Sequence, residues 1–217
     1  VPEKQEITEM STNFGDRIYR VSMQLVTMKD VVNEARILEN VDADINLVAM
    51  FFYDETELQE YIQKNEDDKL VVALAYLDNY EEALEGVEEV RRSLLIALID
   101  RKITKYFSNF DGLVRKLERD KYFLIMRQSS LEALKEQRFH ILDEVKTVNI
   151  GNEMAVTLSI GIGLNGANYL QNYEYSRIAI EMALGRGGDQ VVIKNGNNIT
   201  YYGGKTQQVE KTTRVKA

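Results

Sequence analysis

Apolar runs alternate with amphipathic stretches in the part of the chain after residue 69. Residues 70–77 are almost continuously apolar, which predicts a central strand covered on both faces. A hairpin is predicted from residues 111–116 and 122–126, further strands over residues 157–164, 190–194 and 199–202, and helices over residues 88–107, 129–145 and 172–184. Ser129 and Ser130 are the predicted cap of the second helix. This order of elements predicts an α+β sandwich with helices packed on a sheet.

The first 65 residues carry a weaker pattern. Apolar residues alternate over residues 17–26 and dominate residues 46–53, so both segments are predicted strands. Residues 1–13 are polar without a clear period, and residues 27–45 are acidic and are expected to form a loop or a short helix. An acidic first turn at residues 54–57 predicts a helix that ends near residues 65–68. Two strands alone are marginal in water, so we expect a domain fragment here, with a boundary between residues 60 and 69.

Composition restricts the chemistry that the chain can perform. The formal net charge of -8 over 217 residues argues against broad binding to nucleic acid. The chain has no cysteine and a single histidine, His140, which excludes thiolate metal sites and histidine-rich hydrolytic centres. A bound metal would therefore be a hard cation such as Mg²⁺ or Mn²⁺, held by carboxylates and phosphate oxygens.

Four short segments after residue 69 lie where a known family has its motifs. Residues 157–163 read Thr-Leu-Ser-Ile-Gly-Ile-Gly, residues 78–80 read Asp-Asn-Tyr, residues 118–122 read Glu-Arg-Asp-Lys-Tyr, and residues 183–191 read Ala-Leu-Gly-Arg-Gly-Gly-Asp-Gln-Val. In this order they resemble the Ser-x-Gly strand, the first acidic turn, the signature hairpin turn and the closing motif of GGDEF domains, the module of diguanylate cyclases. The resemblance implies a GGDEF, nucleotide-cyclase-like fold for this part of the chain.

Further details resemble one branch of that family. The Tyr-x-Asp-Asn-Tyr form at residues 76–80, the Arg-Gly-Gly-Asp-Gln run at 186–190 and Phe-His-Ile-Leu-Asp at 139–143 resemble GdpP/YybT-type cyclic-di-AMP phosphodiesterases. Those proteins are membrane-anchored and carry a PAS domain, a degenerate GGDEF domain and a DHH/DHHA1 phosphodiesterase. Asp54-Glu55-Thr56 resembles the Asp-x-Thr that ends many PAS domains.

The resemblance implies a division of the chain into three parts. Residues 1–65 would be the C-terminal part of a PAS-like domain with a connecting helix, residues 66–203 a degenerate GGDEF domain, and residues 204–217 a linker toward a DHH/DHHA1 domain that this chain lacks. The chain would be a soluble, cytoplasmic segment of a membrane-anchored parent and would form a homodimer through its PAS and GGDEF parts.

Several positions depart from the pattern of an active cyclase. The resemblance places the first metal-holding aspartate of the family on Tyr76, and the last acidic ligand of the signature turn on Lys121. Its two signature glycines fall on Glu118 and Arg119. The family's phosphate-contacting lysine falls on Glu81, and its guanine-reading asparagine falls on Leu84. Its two product-inhibition residues fall near Asn109 and Gly112. Synthesis of cyclic-di-GMP is therefore not expected, although an active diguanylate cyclase is kept as an alternative.

Two carboxylates remain as candidates for catalysis and for metal binding. Asp78 and Asp120 follow or precede predicted strands, and a Mg²⁺ ion needs only one or two protein carboxylates when phosphates complete its shell. The candidate nucleotide-binding residues are Lys121, Arg186 and Asn79, with ATP or another purine nucleotide as the ligand. Ordinary turn chemistry would also explain Asp78 and Asn79, and a helix C-cap would explain the glycines around Arg186.

Three functions follow from these residues and the resemblance. The first is a regulatory segment of a cyclic-di-AMP phosphodiesterase, with the helix that carries Leu58, Tyr61 and Ile62 as a lever between domains. The second is a slow ATP hydrolase that uses Asp78 and Asp120. The third is a nucleotide-sensing module that binds without turnover.

Overall fold

A computed structural model of the chain describes residues 7–27 and 46–203. Its residues fall into two compact units that divide between Glu66 and Asp67. Apart from residue 27, the loop or helix expected at residues 27–45 lies outside the described residues, as does the linker expected at residues 204–217. The domain identities implied for residues 1–65, 66–203 and 204–217 stay predictions.

The N-terminal unit contains a three-stranded antiparallel sheet of β1 (Ile7–Phe14), β2 (Arg17–Thr27) and β3 (Asn46–Asp54), in that order. The strands predicted at residues 17–26 and 46–53 are confirmed. The expectation of an irregular start is wrong, because residues 7–14 pair with β2 along their whole length. Seven of the eight β1 positions are exposed, so this strand has no buried face that could produce an alternating pattern.

Helix α1 (Thr56–Asp68) begins directly after β3, at a turn fixed by side-chain hydrogen bonds. The Asp54 carboxylate accepts hydrogen bonds from the Thr56 amide at 3.1 Å and from the Thr56 hydroxyl at 2.6 Å. The Thr56 hydroxyl oxygen in turn accepts from the Ile18 amide at 3.0 Å. The turn thus ties the start of α1 to β2. These hydrogen bonds hold the Asp54 pKa below its usual range, assisted by the charge of Arg17.

The C-terminal unit is built on a six-stranded sheet. Its strands are β4 (Leu70–Leu77), β5 (Leu113–Lys116), β6 (Lys121–Arg127), β7 (Leu158–Leu164), β8 (Gln190–Asn195) and β9 (Asn198–Gly203). Their order in the sheet is β5-β6-β4-β7-β8-β9, with β7 and β8 parallel and every other pair antiparallel. Each strand predicted in this part of the sequence is confirmed. Positions 71–75 of β4 are fully buried, as expected for a central strand.

Five helices accompany this sheet in the described residues: α2 (Tyr80–Leu84), α3 (Glu89–Ser108), α4 (Gln128–Glu136), α5 (Ile141–Lys146) and α6 (Tyr169–Gly185). The short α2 was not anticipated from the sequence. The α+β fold class is confirmed, with helices packed on a mixed sheet around one principal core. None of the helices among the described residues is both long enough and apolar enough to cross a membrane.

The single helix predicted over residues 129–145 is wrong in two respects. The chain forms α4 and α5 instead, separated by Arg138 and Phe139, whose φ angles of 51° and 52° are left-handed. The helix also begins one residue before Ser129, with Arg127 at its N-cap and no side-chain capping hydrogen bond. The break places the Phe139 ring in the core, where it packs on Tyr202 with ring centroids 5.1 Å apart.

Candidate metal and nucleotide site

The two candidate carboxylates lie at one edge of the sheet, on either side of the end of β4. Asp78 follows β4, and Asp120 precedes β6 in the hairpin turn. The Leu77 amide donates a hydrogen bond to the Asp120 carbonyl at 2.9 Å, and the Asp78 amide donates to the Thr157 carbonyl at 3.0 Å. The backbone therefore joins both residues to β4, as the positions of the predicted strands indicated.

The Asp78 carboxylate is held by the turn that precedes β8. Its Oδ2 accepts a hydrogen bond from the Asp189 amide at 2.8 Å. A Cβ atom on Gly188 would lie 2.7 Å from the Asp78 carboxyl group, so this close approach requires glycine. The strand order places β8 and β6 on opposite sides of β4. The side chain of Asp78 is thus fixed toward β8, and among the described residues no hydrogen bond or ion pair joins it to Asp120.

Asp189 is the residue at this site that sequence reasoning did not single out. Its carboxylate forms an ion pair with Lys146 at 2.7 Å. The Oδ1 atoms of both Asp78 and Asp189 are buried and have no hydrogen-bond partner in the described part of the chain. Carboxylate oxygens are the donors that a hard cation prefers, so the donor chemistry of Asp78 is compatible with a Mg²⁺ or Mn²⁺ ion. Within residues 7–27 and 46–203, no three acidic or histidine side chains are grouped as a metal site.

Asn79 forms a bridge between β4 and the segment before β7. Its amide nitrogen donates to the Ala155 carbonyl at 2.8 Å, and its oxygen accepts from the Thr157 amide at 2.9 Å. These bonds occupy both ends of the side-chain amide, which is the behaviour of a residue that orders a turn. The nucleotide-binding role of Asn79 stays a prediction.

Tyr76 and Lys121 face each other across β4 and β6. They are direct partners in the register of the two strands, and the Lys121 ammonium lies 5.5 Å from the centre of the Tyr76 ring. Lys121 also forms an ion pair with Glu118 at 2.7 Å. The Glu118 carboxylate raises the pKa of Lys121, and burial raises the pKa of Tyr76. Both groups therefore keep their protons at neutral pH.

Arg186 follows α6 in a glycine turn that satisfies the end of the helix. The Gly187 amide donates to the Leu184 carbonyl at 2.9 Å, and the Gly188 amide donates to the Ala183 carbonyl at 3.0 Å. Gly187 and Gly188 have left-handed φ angles of 99° and 74°. The helix C-cap interpretation of this run is confirmed. The Arg186 guanidinium lies 4.4 Å from the centre of the Tyr201 ring, and its role toward a phosphate stays a prediction.

Tyr122 occupies the last position of the signature segment and is buried against α3. Its hydroxyl donates a hydrogen bond to Asp100, whose two carboxylate oxygens also accept from Lys116 at 2.8 Å. Burial and the Asp100 carboxylate together raise the pKa of Tyr122 far above its usual range. This network anchors the β5–β6 hairpin on α3, which positions Asp120 and Lys121.

Two further candidates from the sequence, His140 and the apolar side chains of α1, are exposed. His140 is exposed at the N-cap of α5. Leu58, Tyr61 and Ile62 on α1 are all exposed, so the proposed lever presents its apolar side chains to solvent in this chain.

The comparisons with known proteins agree with the architecture. The active GGEEF domain of a diguanylate cyclase from Vibrio cholerae superposes with a TM-score of 0.51 at 13% identity, covering 63% of this chain and 89% of that domain. This likeness defines the fold as that of a GGDEF domain. The sequence profile of the GGDEF domain of GdpP-like cyclic-di-AMP phosphodiesterases matches residues 75–201. The chain therefore belongs to the family of GdpP-like GGDEF domains.

Individual relatives extend the match toward the N-terminus. The cyclic-di-AMP phosphodiesterase GdpP of Geobacillus thermodenitrificans is 34% identical over 77% of this chain and 26% of that protein. The cyclic-di-AMP phosphodiesterase PdeA of Listeria monocytogenes is 35% identical with the same coverage. GdpP of Bacillus subtilis is 28% identical over 99% of this chain and 30% of that protein. The chain spans less than a third of the length of these relatives.

Proposed function

We propose that this chain is a regulatory segment of a cyclic-di-AMP phosphodiesterase, and that its GGDEF domain does not synthesise cyclic-di-GMP. The observation that carries the second part is the contact between Tyr76 and Lys121. The GGDEF resemblance places metal-holding carboxylates at both positions. A neutral phenol and an ammonium group occupy them instead, and each is stabilised in its protonated form.

Electrostatics explains why a phenol and an ammonium group in place of two carboxylates would disable a two-metal site. Cyclisation in this family relies on two divalent cations that neutralise a triphosphate and activate a hydroxyl nucleophile. A Lys121 ammonium at a ligand position repels a divalent cation, and the Tyr76 phenol offers no negative charge. The remaining carboxylates suffice for one cation together with phosphate oxygens.

We propose that the residual site binds ATP with one Mg²⁺ or Mn²⁺ ion and hydrolyses it slowly. Asp78 and Asp120 would hold the metal, and Lys121 would contact a phosphate as a point charge. The buried, unpartnered Oδ1 of Asp78 supports a cation at this edge. Asn79 and Arg186 complete the proposed nucleotide site, although Asn79 would have to keep its bonds to Ala155 and Thr157.

The remaining parts of the proposal concern the parent protein. The names of the relatives support a cyclic-di-AMP phosphodiesterase as parent. In it, residues 1–65 would be a PAS-like segment, α1 would transmit signals, and a DHH/DHHA1 domain in the same parent chain would perform the hydrolysis. Membrane anchoring of the parent and a homodimer through the PAS-like and GGDEF parts belong to the same proposal.

The decisive experiment is chromatography of the products formed from ATP or GTP with Mg²⁺ or Mn²⁺. We expect ADP from ATP and no cyclic-di-GMP from GTP. Asp120→Ala should lose at least about 90% of the ADP production, because loss of a metal-holding carboxylate commonly costs tenfold or more in rate. Glu132→Ala, which removes an exposed carboxylate on α4, the helix that follows the opposite end of β6 from Asp120, should leave the rate unchanged.

Each other outcome identifies a different function. Cyclic-di-GMP would show an active diguanylate cyclase and would contradict the argument from Tyr76 and Lys121. ADP production that survives in Asp120→Ala would contradict the assignment of this carboxylate. Binding of ATP without any product, measured by calorimetry, would favour a nucleotide-sensing module. Circular dichroism of each variant checks that the fold is intact.

A further inference from the structure

A groove of about 650 Å³ lies along the second half of α3, facing α5 and the residues that follow it. Its volume falls within the range of about 300–1,000 Å³ that is common for small-molecule sites. Leu98 and Val148 supply apolar surface, and the remaining lining is polar or charged. The groove is formed by different elements from the edge that carries Asp78 and Asp120, so it is independent of the proposed nucleotide site.

The groove is locally basic in an acidic chain. Arg101, Lys102 and Lys105 all line it, whereas Glu144 is the one carboxylate in its lining. Lys102 forms an ion pair with Glu144 at 3.7 Å and donates a hydrogen bond to the Thr147 hydroxyl at 3.3 Å. Arg101 and Lys105 form no ion pair with any described residue, and their spacing of four residues places them on the same face of α3. Two cations are thus available to an anion, in a chain whose net charge is -8.

The hydroxyl of Tyr106 is a second, independent sign of a ligand. Tyr106 lines the groove and is only 7% exposed, yet its hydroxyl has no hydrogen-bond partner among the described residues. Burial raises the pKa of the Tyr106 phenol, and the backbone of Ile141 beside it offsets part of that rise. Its ring is fixed by edge contacts with Phe107 and Phe110, whose centroids are each 5.4 Å away. A buried polar group without a partner is costly, and a ligand in the groove would supply that partner.

We propose that this groove binds a small organic phosphate, with Arg101 and Lys105 on the phosphate and the Tyr106 hydroxyl donating a hydrogen bond to the ligand. Arginine fits a phosphate because its guanidinium offers paired N–H donors, and lysine adds a point charge. Leu98 and Val148 would contact the organic part of the ligand. The GGDEF resemblance places product-inhibition residues near Asn109 and Gly112. Asn109 also lines one end of the groove, but the two cations lie one and two helical turns before it, at positions to which the resemblance assigns no role.

The test is titration of the isotopically labelled chain with AMP and, separately, with inorganic pyrophosphate, followed by amide NMR. EDTA is present throughout, so that no divalent cation supports binding at Asp78 and Asp120. We expect both probes to shift amide signals of residues 98–109 and 144–149. Arg101→Gln with Lys105→Gln should weaken the binding of both at least about tenfold. Tyr106→Phe should weaken binding of AMP a few-fold while the melting temperature is unchanged or higher.

A matched double variant distinguishes binding in the groove from a general effect of removing two positive charges. Lys64→Gln with Arg115→Gln also removes one lysine and one arginine, both exposed and outside the groove. It should bind both probes like the unaltered chain. Equal weakening in the two double variants, or no shifts at millimolar concentrations of either probe, would overturn the proposal. Binding of a polyglutamate peptide in the absence of binding by both phosphates would also overturn it, since an acidic protein segment would then be the occupant.

Discussion

At the scale of single residues, Gly161 and Gly163 set the distance between α6 and β7. A Cβ atom on Gly161 would lie 2.2 Å from the Ile180 amide nitrogen, and one on Gly163 would lie 2.0 Å from the Asn172 carbonyl oxygen. Both obstacles are helix backbone, which cannot rotate away as a side chain would. We predict that Gly161→Ala lowers the free energy of unfolding by at least about 2 kcal/mol. Urea unfolding followed by circular dichroism measures the loss.

Gly185→Ala is the matched control at this scale, because the same methyl group at the end of α6 meets nothing within 4 Å. Its free energy of unfolding should change by less than about 0.5 kcal/mol. Equal losses in the two variants would show that the helix–strand contact is not the cause. In the sequence, Gly161 and Gly163 are recognisable only as part of a family motif. Their role in packing becomes clear only when the position of α6 is known. Contacts between distant segments are not encoded in a local pattern.

At the scale of elements, local periodicity predicted most strands and helices of the C-terminal unit. It failed between α4 and α5 because Leu134, Phe139 and Leu142 keep an approximately helical spacing across a break in the backbone. Arg138 there adopts a left-handed conformation although its side chain is exposed. We predict that Arg138→Gly raises the free energy of unfolding by roughly 0.5–1 kcal/mol, because glycine adopts this conformation without steric cost. Urea unfolding measures the gain.

Phe139→Gly tests whether backbone conformation alone explains that gain. Phe139 has nearly the same φ angle as Arg138, so glycine relieves a similar strain there. Its ring is buried against Tyr202, and its loss should lower the free energy of unfolding by about 3 kcal/mol. Destabilisation by Arg138→Gly would contradict the strain argument and would indicate that the arginine side chain has a structural role.

At the scale of the whole molecule, the sequence located the edge of the sheet but not the arrangement of the site. Predicted strand ends placed Asp78 and Asp120 at one edge, which the backbone bonds of β4 confirm. The partner of the Asp78 carboxylate is the Asp189 amide, 111 residues further along the chain. Lys146, from a third segment, neutralises Asp189. No spacing rule connects these three segments, because the topology of the sheet brings them together.

The C-terminal unit also couples its stability to the ionisation of buried tyrosines. Burial raises the pKa values of Tyr76, Tyr80, Tyr106 and Tyr122 above the usual value near 10. In the unfolded chain these phenols lose their protons from about pH 10 upward, whereas the folded chain retains them. The folded state therefore binds more protons than the unfolded state above that pH. Their contribution to stability is fully present below pH 10 and is lost as the pH rises.

We predict that the free energy of unfolding decreases steadily between about pH 9 and pH 11, as measured by urea unfolding at each pH. Tyr122→Phe should flatten this decrease, because it removes the phenol whose pKa is raised most by burial and by Asp100. Tyr169→Phe is the control, since its side chain is 64% exposed, and it should leave the slope unchanged. An unchanged slope in Tyr122→Phe would mean that lysine deprotonation, including that of Lys121 and Lys146, dominates the alkaline loss of stability, because the pKa values of these two lysines are also raised in the fold.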